Sequence, residues 1–304
     1  MMEGFIALLC QNMPVSEVAD TLDEHDTQLW RLISELVERA HKGEDWSKVR
    51  RVLVDETSSK RGHRYVTCFV DAESRRLLFL TEGKGSDTVE AFARELEARR
   101  GFRDQIELVC MDMSGAFAKG VTRSLPKARV AYDHFHIMQM AGKAVDEVRK
   151  DLRSRGAALE GALWALRGNV WNQSAERLAQ RAAYCQQYPK LGSSIMLRET
   201  LQDVLADRDE ESLRWWCQRA MRSRLEPFKK LVRTLRTHWD GVCAFMDTRI
   251  TNGLIEALNG KLQLAKRLAR GYRSLRNFRT MAYLKAGALT VDIPALKPTK
   301  THTI

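Results

Sequence analysis

Val52-Leu53-Val54-Asp55 and Ile106-Glu107-Leu108-Val109-Cys110-Met111-Asp112 are the stretches on which the reading of the fold turns. Each is a short apolar run ending on a carboxylate, and runs of this length between polar turns read as buried strands. Outward from the first, extended segments are expected at 50–57, 64–71 and 76–83, separated by Arg61-Gly62-His63 and Asp71-Ala72-Glu73-Ser74. Three strands so close in sequence imply an antiparallel meander. A helix over 87–100, a strand over 106–112, a helix over 115–125 and a short strand over 129–133 follow.

Meander, helix, strand, helix, strand is the order of an α/β domain with a ribonuclease-H-like mixed sheet, in which the first and fourth strands lie side by side. Asp55 and Asp112 fall on those two strands. From about 137 to 250 the pattern is helical throughout and reads as a large all-helical insertion, with Trp164, Trp171, Trp215, Trp216 and Trp239 expected mostly in its core. Trp215 and Trp216 cannot both point inward from one helix face, so one is expected at the surface. A last helix over about 252–268 places Ile255, Leu258, Leu262, Ala265 and Ala269 on an apolar face for the sheet, with Glu256, Asn259, Gln263, Arg267 and Arg270 on a polar face turned to a negatively charged ligand. A tail, 288–304, reads as disordered. At the other end, pieces at 5–12, 15–22 and 26–40 resemble a helix-turn-helix module within 1–45, although the third piece carries Asp26, Glu35 and Glu38 and suits a structural cap equally well. The catalytic domain is expected over 48–287.

With 304 residues the chain can bury a sizeable core. Its formal charge of +11, from 50 basic and 39 acidic residues, fits a polyanionic partner. The six cysteines show no close metal-ligand spacing, so no zinc site is expected and reduced thiols are. The apolar run Phe5–Cys10 follows Glu3 and has neither the basic flank of a signal peptide nor the length of a membrane span, so a cytoplasmic protein is expected.

Carboxylates delivered by strand ends and a helix can hold a pair of Mg²⁺ ions about 4 Å apart, activating the nucleophile and stabilising the leaving oxygen of a phosphodiester. Asp55, Asp112 and Glu256 are the candidates for catalysis and metal binding, with Glu56 and Asp133 as rivals. Alternation along a strand would turn Glu56 away from Asp55. Lys60, Arg61, Arg64, Lys266, Arg267, Arg270 and Arg273 are candidate phosphate contacts, and His134 and His136 open the helix after the last strand.

The segments Val54–Thr57, Lys60–Tyr65, Met111–Phe117, Asp133–His136 and Thr251–Asn259, with Lys266-Arg267, together resemble the transposases of the ISL3 family of bacterial insertion sequences, collinearly over about 15–287. The resemblance implies a DDE-type transposase in which Asp55, Asp112 and Glu256 bind two Mg²⁺, with Mn²⁺ able to substitute. His136 is a candidate for contacting the scissile phosphate or shaping the metal site, and equally for tying strand to helix by ordinary hydrogen bonds, and Asn259 is a candidate DNA contact. The resemblance also implies a homo-oligomer acting on double-stranded DNA at element ends and target, associated with the nucleoid. Family members usually carry a cysteine-rich zinc-binding region ahead of the helix-turn-helix; no such cluster occurs here, which leaves open a shortened member or displaced end recognition. Two other readings stand beside this one: a metal-dependent nuclease of the same fold without strand transfer, and an inactive DNA-binding remnant or regulator.

Overall fold

The computed structural model describes residues 2–60, 64–166, 172–248 and 250–289. The chain divides into two compact units, Met1–Arg129 with Asn252–Ile304, and Val130–Thr251.

The first unit opens with helices α1 (Met2–Asn12), α2 (Val15–Leu22) and α3 (Asp26–Lys42), followed by strands β1 (Arg51–Lys60), β2 (Arg64–Asp71) and β3 (Leu77–Glu82). Helix α4 (Ser86–Ala98), strand β4 (Leu108–Met111) and helix α5 (Gly115–Ser124) come next, and strand β5 (Arg129–Tyr132) starts at the last residue of this segment and continues into the second unit. The mixed sheet has the order β3-β2-β1-β4-β5, with β1 antiparallel to β2 and parallel to β4. Val52, Leu53 and Val54 are all buried, as befits a central strand covered on both faces.

One expectation is corrected here. The first strand does not end at 57 but runs on to Lys60, paired with β2 through Glu56–Thr67, Thr57–Val66 and Ser58–Tyr65, so Asp55 lies well inside it. The polar Thr57 and Ser59 are themselves buried, and Ser59 Oγ donates to the Arg64 carbonyl at 3.0 Å, so the ladder continues past the apolar residues. Pairing with β2, rather than hydrophobicity, sets the length of this strand.

Helix α4 turns Val89, Phe92, Ala93 and Leu96 inward, the i, i+3, i+4, i+7 pattern of a one-sided helix. Phe92 stacks on Phe69 of β2 with ring centroids 4.5 Å apart. Helices α4 and α5 approach at Gly120, where a Cβ would meet the Ser86 Cα at 3.0 Å. Two further helices complete this unit, α13 (Gly253–Leu268) and α14 (Leu275–Ala286); the labels α6 to α12 belong to the second unit. The N-terminal helices pack on α14 through Ser34 and Thr280, Arg276 and Glu38 (2.9 Å), and Gln11 Nε2 donating to the Leu284 carbonyl (3.1 Å).

The second unit is helical: α6 (His134–Ser154), α7 (Ala162–Leu166), α8 (Ala175–Gln187), α9 (Pro189–Asp207), α10 (Glu210–Arg222), α11 (Glu226–Thr237) and α12 (Trp239–Thr248). Gly241 allows α12 to meet Tyr132, whose ring a Cβ there would touch at 2.4 Å. Trp216 is fully buried, its Nε1 donating to the Leu197 carbonyl at 2.9 Å, whereas its neighbour Trp215 is 51% exposed. The expectation that most tryptophans here are core residues fails. Trp164 is 64% exposed, Trp239 is half-buried, and Trp171 lies outside the described residues. Small and aliphatic side chains such as Ala144, Leu201 and Leu213 supply most of the buried surface instead.

Described residues 2–289 include no helix long and apolar enough to cross a membrane. None of the six cysteines forms a disulfide among the described residues, and four of them are buried.

Candidate active site

The backbone alone brings Asp55 and Asp112 side by side. Leu53 pairs with Cys110 across β1 and β4, an offset of 57 positions, and carrying that register two residues onward sets Asp55 level with Asp112. Asp112 follows β4 directly and opens the turn into α5: its carbonyl accepts from the Ser114 N–H at 2.6 Å, and Ser114 caps the helix by accepting from the Phe117 N–H. Both aspartates are half-buried.

Helix α13 reaches β1 by side-chain hydrogen bonds. Asn259 Nδ2 donates to Asp55 Oδ2 at 2.7 Å; Gln263 Nε2 donates to Thr57 Oγ1 and to the Ser58 carbonyl, both at 2.8 Å; Lys266 Nζ donates to the same carbonyl at 2.6 Å. The other oxygen of Asp55, Oδ1, accepts the Glu56 N–H at 2.7 Å. This amends the expectation for α13. Ile255, Leu258, Leu262 and Ala265 are buried as foreseen, while Ala269 caps the helix half-buried and Leu264 and Leu268 are exposed. Asn259 and Gln263 turn to the strand rather than outward, because residues four apart on a helix share one edge and β1 offers acceptors along it.

Glu256 occupies that edge one turn earlier and is exposed; its N–H donates to the Asn252 carbonyl at 2.9 Å. Among the described residues no three His, Cys, Asp or Glu side chains are close enough to hold one metal ion together, so Asp55, Asp112 and Glu256 do not form a closed cluster. Like charges left to themselves spread apart. The donor set still suits a hard cation, since Mg²⁺ takes only one or two protein carboxylates and fills the remaining positions with water and phosphate oxygens.

The electrostatics tie Glu56 to this place. Burial raises its carboxyl above the usual range, the Lys84 ammonium opposes that, and the Asp112 charge adds to the rise. Alternation does turn Glu56 and Asp55 apart along β1, yet Glu56 senses Asp112. Burial also raises the Cys68 thiol, with the charge of Asp55, its partner across the strand pair, adding to the effect. Burial lowers the Lys266 ammonium.

The other candidates are spread. Lys60 Nζ donates to the Arg273 carbonyl at 2.8 Å, Arg64, Arg267 and Arg270 are exposed, and Arg61 lies outside the described residues. His136 and Asp133 belong to the helical unit, where Asp133 is buried and the His134 ring stands 3.3 Å from its carboxylate and stacks on Phe245. Lys84 escaped the sequence reading, since a lone lysine in a turn carries no pattern, and Gln263 entered it only as one member of a polar face.

Against this geometry the comparisons are decisive: a family profile described as a transposase, the DDE-type ISL3 group, matches residues 52–282. The chain belongs to the ISL3 family of transposases. The matched span runs from the start of β1 into α14 and so contains both strands and the helix of the site. The chain is similar to the transposase for insertion sequence element IS1557 of Mycobacterium tuberculosis, with 29% identity over 327 residues, covering 96% of this chain and 72% of that protein, in both strains compared. It is also similar to the transposase for insertion sequence element IS1001 of Bordetella parapertussis, with 27% identity over 246 residues, covering 77% of this chain and 60% of the relative. An ISL3 transposase acts on DNA, and the basic balance of this chain fits that partner.

Proposed function

We propose that this ISL3 transposase cleaves phosphodiesters at the ends of its own insertion sequence and joins the freed 3′ ends to a target, using Asp55, Asp112 and Glu256 as a DDE triad. What supports the reading is the parallel register of β1 and β4, which carries Asp55 of β1 towards Asp112 just past the end of β4, with Glu256 on the helix hydrogen-bonded to Asp55. Two Mg²⁺ ions, when bound, supply the activated nucleophile and the stabilised leaving oxygen. The chain's own part is to orient the carboxylates: Asn259 and the Glu56 N–H fix both oxygens of Asp55, and the Ser114 N–H fixes the backbone at Asp112.

In this reading residues 48–287 form a ribonuclease-H-like catalytic domain interrupted by a helical insertion over about 137–250, and 1–45 form a helix-turn-helix-like module. Arg64, Arg267 and Arg270, being exposed, are the proposed phosphate contacts, and Lys60 and His136 are further candidates. The protein works as a homo-oligomer, because two element ends must be processed together.

The test is cleavage of a supercoiled plasmid carrying the gene with its native flanks, by wild type, Asp112→Ala and Glu256→Ala, in Mg²⁺ and in EDTA. Cutting and joining at defined flanking positions, lost in both variants and in EDTA, is expected. Cutting without joined products would favour a nuclease, and binding without cutting would favour a regulator.

A further inference from the structure

Three donors on one edge of α13 meet β1 in sequence: Asn259 at Asp55, Gln263 at Thr57 and Ser58, and Lys266 at Ser58. At 100° per residue, Glu256, Asn259, Gln263 and Lys266 fall within an arc of about 80°. The residue expected to reach the cation therefore rides on the same edge that is bonded to the strand. Helix and strand ascend together along this ladder, so each bond restrains the same motion, a slide of α13 along β1. Apolar packing of Ile255, Leu258 and Leu262 does not restrain such a slide as sharply, because it is not directional.

Asn259 distinguishes positioning from mere packing. It is only 8% exposed, and while Nδ2 serves Asp55, Oδ1 is buried and makes no hydrogen bond among the described residues. A buried acceptor without a partner is unfavourable, and an apolar side chain of this size would avoid it. As a packing residue asparagine is therefore a poor choice, and the contact it does make is with a proposed metal carboxylate. Gln263 spans a side-chain hydroxyl and a main-chain carbonyl, and the partly desolvated Lys266 ammonium closes on that same carbonyl. The two together fix the strand just beyond Asp55.

We propose that Asn259 is a positioning residue for Asp55, and that Gln263 and Lys266 set the register of α13 so that Glu256 is offered to the same metal pair. The inference rests on the triad reading above. It assigns the amide of Asn259 and the amine of Lys266 an inward role, in place of the DNA contact that the sequence suggests.

The experiment uses the full chain and Mn²⁺ as probe, with binding followed by electron paramagnetic resonance, alongside single-turnover cleavage of end-containing DNA and thermal unfolding. Asn259→Leu is expected to fold as wild type does and to bind DNA with unchanged Kd. Its Mn²⁺ affinity and its cleavage rate at saturating DNA should each fall about 10- to 100-fold, as for partners that orient metal ligands. Gln263→Leu should show the same pattern more weakly, and Asn259→Ser serves if the leucine variant does not fold. Rate and Mn²⁺ affinity at wild-type levels in a folded Asn259 variant would overturn the positioning role alone. Mn²⁺ binding indifferent to Asp55→Ala would overturn the triad reading, and this inference with it. A drop in DNA affinity with Mn²⁺ binding intact would return Asn259 to the role of a DNA contact and overturn the proposal.

Discussion

The seam between α13 and β1 and the packing of α9 against α10 hold helices in place by different means. In the first, three side-chain donors meet the strand's carboxylate, hydroxyl and carbonyl. In the second, a buried Trp216 and its aliphatic neighbours fill the contact with one buried indole hydrogen bond to the Leu197 carbonyl, while an exposed Arg219–Met196 contact and ion pairs such as Arg214 with Glu210 sit outside. Hydrogen bonds are directional and fix a helix to one offset, whereas apolar contact tolerates small shifts at little cost. The chain spends directional bonding where two carboxylates must be held at a set spacing and apolar burial where bulk stability suffices.

Removing a carboxylate from the polar seam breaks the comparison most severely. Asp112→Ala should lower plasmid cleavage about 10³-fold or more while leaving the thermal transition within a few degrees, because the residue serves chemistry rather than packing. On the apolar side the ranking reverses. Trp216→Ala should cost about 3–5 kcal/mol by denaturant unfolding, against about 0.5 kcal/mol or less for Trp215→Ala one residue away. Equal losses for the two would undo the burial assignment.

A third perturbation uses pH. His41 is buried, its Nε2 paired with the Leu78 carbonyl and its Nδ1 with Arg99, and burial brings its pKa from the ordinary histidine value of 6.5 down to about 4. The folded state therefore binds fewer protons than the unfolded one between these values. Stability falls as pH drops through 6.5 and levels off below about 4, a loss of up to about 3 kcal/mol. His41→Gln, which retains a donor and an acceptor, should flatten that slope in urea titrations repeated across this range. A more local effect is expected at the α4–α5 contact, where Gly120→Ala presses a methyl against the Ser86 Cα and should cost about 1–3 kcal/mol. A neutral outcome would mean that the helices separate freely there.

Much of this was legible in the residues. The strands around Asp55 and Asp112 announce themselves by unbroken apolar runs, and the turn at Asp71-Ala72-Glu73-Ser74 separates β2 from β3 as its composition suggests. The partners of α13 were not legible. A polar helix edge looks the same whether it faces solvent, DNA or a strand, and Asn259 is 204 positions from the aspartate it holds. The exposure of Trp164 was hidden for a similar reason, since an aromatic residue in a helical run is assigned to the core by average behaviour alone.

By itself, then, the sequence determined the order of elements, the strands that carry the two aspartates and the family motifs, because these depend on local periodicity and on chemistry written in short segments. Only the tertiary structure decided that β1 runs past 57 to Lys60, that its parallel register with β4 carries Asp55 towards Asp112, and that α13 meets Asp55 through Asn259. Those facts depend on how segments far apart in the chain pair and align, and pairing energy is shared between partners that neither segment encodes alone.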